Sequence, residues 1–154
     1  MLDGLREFFQ SKRTPEAAPS REARGKALRL AAGALLFEIV RADHKVEDAE
    51  RTVMRTALQS TFNLDEEESA DIMRRSEEQS REAISVYEFT SLVDGAFSPE
   101  EKKRIVELLW LVAFADGKKD PSEEHMVRKI AGLLHVAHPD FIDAKIRARD
   151  RKAD

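Results

Sequence analysis

The sequence predicts an all-α protein, a bundle of seven to eight helices. Three observations carry that prediction. Apolar residues recur at three- and four-residue spacing, as in Leu35, Ile39 and Ala42, or Ile105, Leu108, Leu109 and Val112, which is the period of a helix with a buried face. Helix-start signals punctuate the chain, Ser98-Pro-Glu-Glu101 and Asp120-Pro-Ser-Glu123 being the plainest: a capping residue, Pro at the first helical position and a carboxylate three residues on. No stretch shows the apolar–polar alternation and β-branched enrichment of a strand.

Taken in order, Met1 to Arg13 carries Leu2, Leu5, Phe8 and Phe9 at helical spacing among mixed charges, which predicts a short amphipathic helix. Thr14 to Lys26, with Pro15 and Pro19, reads as a linker that runs into the next helix, with Ser20 as its cap. The first long helix is expected from Arg21 to Ala42, with Leu28, Ala31, Leu35, Leu36, Ile39 and Val40 inward. Glu38 lies on that apolar face, where a carboxylate needs a partner such as an Arg. A helix over about 48–60 turns Val53, Met54, Ala57 and Leu58 inward. Asp65 and Glu68 have capping-box spacing and open a charged, surface helix that buries Ile72 and Met73. Ser85-Val-Tyr-Glu88 opens a short helix that ends near Gly95. The segment from Ser98 to Ala115, with Trp110, Leu111 and Phe114 on its remaining sides, is expected to be the most buried helix. Asp120 caps the next one, and a last helix begins near Pro139.

Length and composition fit one soluble domain, expected over residues 27–149, with a basic, frayed tail at 150–154. A net charge of −4 argues against nucleic acid, whose recognition rests on a basic surface. With no cysteine there is neither a disulfide framework nor Cys-ligated zinc. The longest apolar runs, residues 30–37 and 108–115, are far short of the ~18 residues of a spanning helix. No charged start followed by an apolar run opens the chain, so the cytoplasm is the expected location. The mixed polar face of residues 1–13 suits docking on the domain, a second copy or a protein partner better than an anionic membrane surface.

The chain also resembles itself. Residues 35–55 and 108–128 share Leu35/Leu108, Leu36/Leu109, Ala42/Ala115, Asp43/Asp116, Lys45/Lys118, Glu50/Glu123 and Arg55/Arg128, each pair 73 apart. The unit is a helix, an acidic corner and a second helix, so the bundle is expected to be built from two pseudo-symmetric copies.

The stretch Ala115-Asp-Gly-Lys-Lys-Asp-Pro-Ser-Glu-Glu124 resembles the signature of the TerB family, the tellurite-resistance-associated helical domain that carries this corner twice. Ile130-Ala-Gly-Leu-Leu-His-Val-Ala-His-Pro-Asp-Phe141 resembles that family's closing helix-loop-helix. The likeness spans about residues 27–146. It departs at His44, where Gly is usual, and at Lys119, where an apolar residue is common. The resemblance implies an all-helical domain with an acidic, metal-binding surface and a link to bacterial stress responses.

Two readings of the corners stand side by side. In one, Asp43, Glu47 and Glu50 form a carboxylate cluster and Asp116, Asp120 and Glu123 its counterpart, holding a divalent cation such as calcium or magnesium weakly through oxygen ligands. In the other, Gly117 ends one helix in a left-handed turn, while Asp120 and Glu123 cap the next. An EF-hand loop is excluded, because Lys118, Pro121 and Val127 stand where it needs a ligand, a glycine and a bidentate glutamate. His44, His125, His135 and His138 lack the spacing of a zinc set. No phosphate loop, nucleophile elbow or zinc helix is present, so a non-enzymatic interaction or ion-sensing module is expected. The alternative is a scaffold that dimerises or docks on a partner through residues 1–13, without metal.

Overall fold

The computed structural model describes residues 21–41, 46–82, 86–115 and 121–153. The N-terminal amphipathic segment, Asp43, His44, Ser85, Asp116, Gly117 and Asp120 lie outside the described residues. Within them all regular structure is helical: α1 Arg21–Arg41, α2 Asp48–Phe62, α3 Glu66–Glu82, α4 Val86–Ala96, α5 Pro99–Ala115, α6 Pro121–Leu133 and α7 His138–Ala153.

The starts and stops follow local chemistry. Before α3, the Glu68 amide donates to Asp65 Oδ1 at 2.7 Å and the Asp65 amide donates back to Glu68 Oε1 at 3.3 Å. Before α5, the Ser98 amide donates to Glu101 Oε1 at 2.8 Å and the Glu101 amide to Ser98 Oγ at 3.2 Å. Each box satisfies backbone donors that the first helical turn leaves unpaired. Asn63 ends α2 at φ 55° and His135 ends α6 at φ 59°. After α6 the Val136 amide reaches Ala131 O at 3.0 Å and the His135 amide Gly132 O at 3.1 Å, the paired bonds of a Schellman cap with His where Gly is favoured.

Helices α1 and α5 form the centre and run side by side in the same direction. Arg24, near the start of α1, holds Glu101 at the start of α5 through Nε–Oε2 at 3.0 Å and a second contact. At the other end Val40 of α1 and Val112 of α5 line one cavity. α3 covers the outer side of α1, and α7 that of α5, the two most extensive pairings of the fold. α2 touches both α1 and α5, as does α6, and α4 packs on α6.

The core fills the space between these layers. Trp110, Phe37, Leu35, Leu36, Ile39, Met54, Leu58 and Ile105 are among its fully buried side chains. Burying each contributes about 1.5–3 kcal/mol. Trp110 stacks on Phe114 with ring centroids 5.3 Å apart and tilts against Phe141 of α7 at 5.6 Å. Lys145 Nζ lies 4.9 Å from the indole centroid.

Four expectations need correction. The most enclosed helix is α1, not α5: every residue from Ala31 to Phe37 is buried, because α2, α3, α5 and α6 surround it. The charged helix α3 is more than a surface cover. It turns Ser69, Ile72, Ser76 and Ser80 inward, and the small Ser76 lies directly against Gly33 of α1. Glu38 is satisfied by a hydroxyl, Ser80 Oγ donating at 2.6 Å. The chain's last turn is helical through Ala153, held by Arg151, which donates to Glu107 Oε2 at 2.9 Å and to Ser60 Oγ at 2.9 Å. At the other boundary, Arg24 already belongs to the packed domain.

Candidate functional site: the paired acidic corners

The geometry starts from the ends of the two central helices. Because α1 and α5 run in parallel, their C-terminal ends come together. The helices that follow, α2 and α6, start beside each other. Val40, Ala49, Glu50, Val53, Val112, Ala115 and Glu123 line a cavity of about 110 Å³ at that junction. Glu50 opens α2 and Glu123 opens α6. They are one of the pairs that stand 73 residues apart, and the fold brings them to one pocket.

Both carboxylates sit in the first turn of their helices, where the helix dipole favours negative charge. Glu50 Oε1 accepts the Glu47 amide at 3.0 Å, so one of its oxygens serves as a cap. The Glu47 backbone is extended, φ −92° and ψ 162°, which turns the chain into α2. Glu50 is half-buried, and Glu123 is buried at 4% exposure. The rest of the lining is Ala or Val, so the acidic groups face a small, mostly apolar space.

The other sequence-predicted ligands divide. Glu47 is exposed and does not line the cavity. Asp43, Asp116 and Asp120 lie outside the described residues. Among the described residues no group of three or more His, Asp or Glu side chains is placed to hold a metal. Two carboxylates offer at most four oxygens, whereas a hard cation takes six or more. The pair therefore fits a cation only as part of a larger ligand set.

Sequence reasoning missed the walls. Val53 reads as an ordinary inward residue of α2 and Ala115 as a helix end, and Ala49 carries no signal at all. Their small size leaves the cavity open, and the identity of Ala42 with Ala115 was the one signal for it.

Charge around the corner is organised by arginine. Arg51 donates to Glu77 Oε2 at 2.5 Å and lies over Phe37, 5.7 Å from its centroid. That hydrogen bond holds the Glu77 carboxyl below its usual range and pushes the guanidinium up. α2 is thereby tied to α3 at the residue next to Glu50. His125 is exposed and does not line the cavity, and His135 bonds Asp94 at 2.9 Å.

The fold and site thus define an all-helical domain with two acidic helix starts closing on one cavity. A family model described as tellurite resistance protein TerB matches residues 29–146. Since this covers most of the chain, the protein belongs to the TerB family. No curated protein and no solved structure matches it. No helix among the described residues is long and apolar enough to cross a membrane.

Proposed function

We propose that this chain is a non-enzymatic TerB module of the bacterial cytoplasm that senses or weakly holds a divalent cation at its paired acidic corners, in a stress response of the tellurite-resistance type. One observation carries the reading: Glu50 and Glu123, at equivalent places in two similar segments, line the same cavity. Two carboxylates on one cavity attract a cation more than either alone, and the apolar walls raise that attraction above its value in water.

The remaining oxygens would come from Asp43, Asp116, Asp120 and water. Affinity is limited by the cap, because drawing Glu50 Oε1 onto an ion gives up its bond to the Glu47 amide, at a cost of about 0.5–1.5 kcal/mol. A weak site responds to changing ion concentration, as a sensor requires.

The test is an NMR titration of the full chain with calcium, magnesium, manganese and zinc. Amides near Glu50 and Glu123 are expected to shift or broaden for at least one ion, and Glu50→Gln with Glu123→Gln should abolish the effect. No corner response at millimolar metal defeats the proposal.

A further inference from the structure

Behind the acidic cavity lies a second one with different chemistry. It is an open groove of about 530 Å³ along α2, bounded by α5 and by the end of α7. Val53, Thr56, Ala57 and Ser60 form one wall and Leu111 and Ala115 the other, with Arg151 across one end. The walls are mainly aliphatic carbon, and the side chains of α2 here are short. A helix or a row of large apolar side chains can approach such a floor closely. The volume falls within the range of pockets that bury most of an apolar ligand's surface.

The groove needs an apolar occupant, and the chain carries one within reach. Residues 1–13 lie outside the described residues, but their sequence sets Leu2, Leu5, Phe8 and Phe9 at helical spacing. Two aromatic rings and two leucines are a large apolar payload, each ring alone burying 150 Å² or more when covered.

Seven residues, 14–20, join this segment to α1, and extended they span about 23–25 Å. The start of α1 is fixed beside the start of α5 by the Arg24–Glu101 pair. The near end of the groove is fixed by Arg151, which bonds Glu107 on α5 and Ser60 on α2. Glu101 and Glu107 are six residues apart on one helix, about 9 Å along its axis. That axial separation is less than half the span of the linker.

We infer that residues 1–13 dock in cis into the α2–α5–α7 groove through Leu5, Phe8 and Phe9, as an intramolecular cover for that apolar surface. A tether this short gives the segment an effective concentration in the millimolar range, well above what a free partner reaches. Cis occupancy therefore outcompetes a second copy at ordinary protein concentration. Glu50 and Glu123 do not line the groove, although Val53 and Ala115 border both spaces.

The chain has no cysteine, so Gln10→Cys supplies a unique site for a spin label on the full chain. The expected result is selective loss of the NMR amide signals of Thr56, Ser60 and Leu111, restored by reducing the label. Adding Leu5→Asp and Phe9→Asp should bring those signals back. Thr56→Glu should release the segment from the other side, restoring the Ser60 and Leu111 signals. Signal loss elsewhere, or none, overturns the inference. So does loss that survives the double Asp variant. In a mixture of isotope-labelled unmodified chain with spin-labelled chain, loss at the groove would identify a second copy as the occupant and overturn docking in cis.

Discussion

Gly33→Ala is expected to destabilise the protein although alanine is the better helix former. In an isolated helix the substitution gains about 1 kcal/mol. Here a Cβ at Gly33 would stand 2.1 Å from Ser76 Oγ and 2.8 Å from Ser76 Cβ. The hydroxyl can rotate away, but the Cβ is fixed to the α3 backbone. Relief requires α1 and α3 to separate by roughly half an ångström or more, along an interface that also holds Ile72 and the Ser80–Glu38 bond. Overpacking of this kind costs about 1–3 kcal/mol, and a contact this short belongs at the upper end. The net loss is about 2 kcal/mol, or some 4–8 °C in Tm for a chain of this length.

Urea unfolding followed through Trp110, the sole tryptophan and a buried one, measures it directly. Gly132→Ala is the matched control. Gly132 lies in α6 with nothing within 4 Å of the added Cβ, so it should gain about 0.5–1 kcal/mol. If Gly33→Ala equals or exceeds the wild type in stability, the close α1–α3 approach is wrong.

Other expectations test the ties between elements. Glu101→Gln keeps a capping acceptor but loses the charge that faces Arg24, and should cost about 1–2 kcal/mol in urea midpoint, discounted for partial exposure; an unchanged midpoint would refute the tie. Stability should fall in acid. Arg51 lowers Glu77 directly; at Asp94 and Glu101 burial pushes the carboxyl up, but Lys102 with His135, and Arg24 with Ser98, outweigh it. All three folded pKa values lie below the unfolded ones, so their stabilisation is complete above about pH 4–5 and is lost as pH falls through the folded values. A scan of unfolding free energy from pH 7 to 2 should show that decline, and Glu77→Gln should shallow it. His135→Gly should raise stability by about 0.5–1 kcal/mol at pH 8, since relief of the left-handed strain exceeds the loss of an exposed bond to Asp94; a loss at that pH would mean that the bond outweighs the strain.

Much of the fold was legible because its signals are local. Asp65 with Glu68 and Ser98 with Glu101 satisfy their own neighbours, so a few residues suffice to read them. The apolar period of residues 27–40 and 105–112 told which residues are inside. It could not tell how a polar residue packs. Ser69, Ser76 and Ser80 read as surface residues, yet all three are buried, Ser76 against Gly33 and Ser80 as the partner of Glu38. The acidic corners divided the same way. Glu47 and Glu50 read only as candidate ligands, and the structure shows them as the capping pair of α2. The meeting of Glu50 with Glu123 depends on α1 and α5 lying parallel, a tertiary fact that no window of sequence contains.

That parallel arrangement also places two unlike cavities back to back. Val53 and Ala115 line both the acidic pocket and the apolar groove. One belongs to α2 and the other to the end of α5, so a shift of α2 against α5 changes both spaces together. Proximity alone does not couple them. A cation at Glu50 and Glu123 alters groove occupancy only if it binds the two arrangements of α2 with different affinity, and the effect is then reciprocal. Substitutions at Val53 or Ala115 would disturb both sites at once and distinguish nothing. Glu50 and Glu123 touch only the pocket, and Thr56 and Leu111 only the groove. If Glu50→Gln with Glu123→Gln leaves the spin-label pattern at Thr56 unchanged with and without metal, the two cavities act separately. If saturating metal changes that pattern in the wild type and not in the double variant, α2 is the element that connects them.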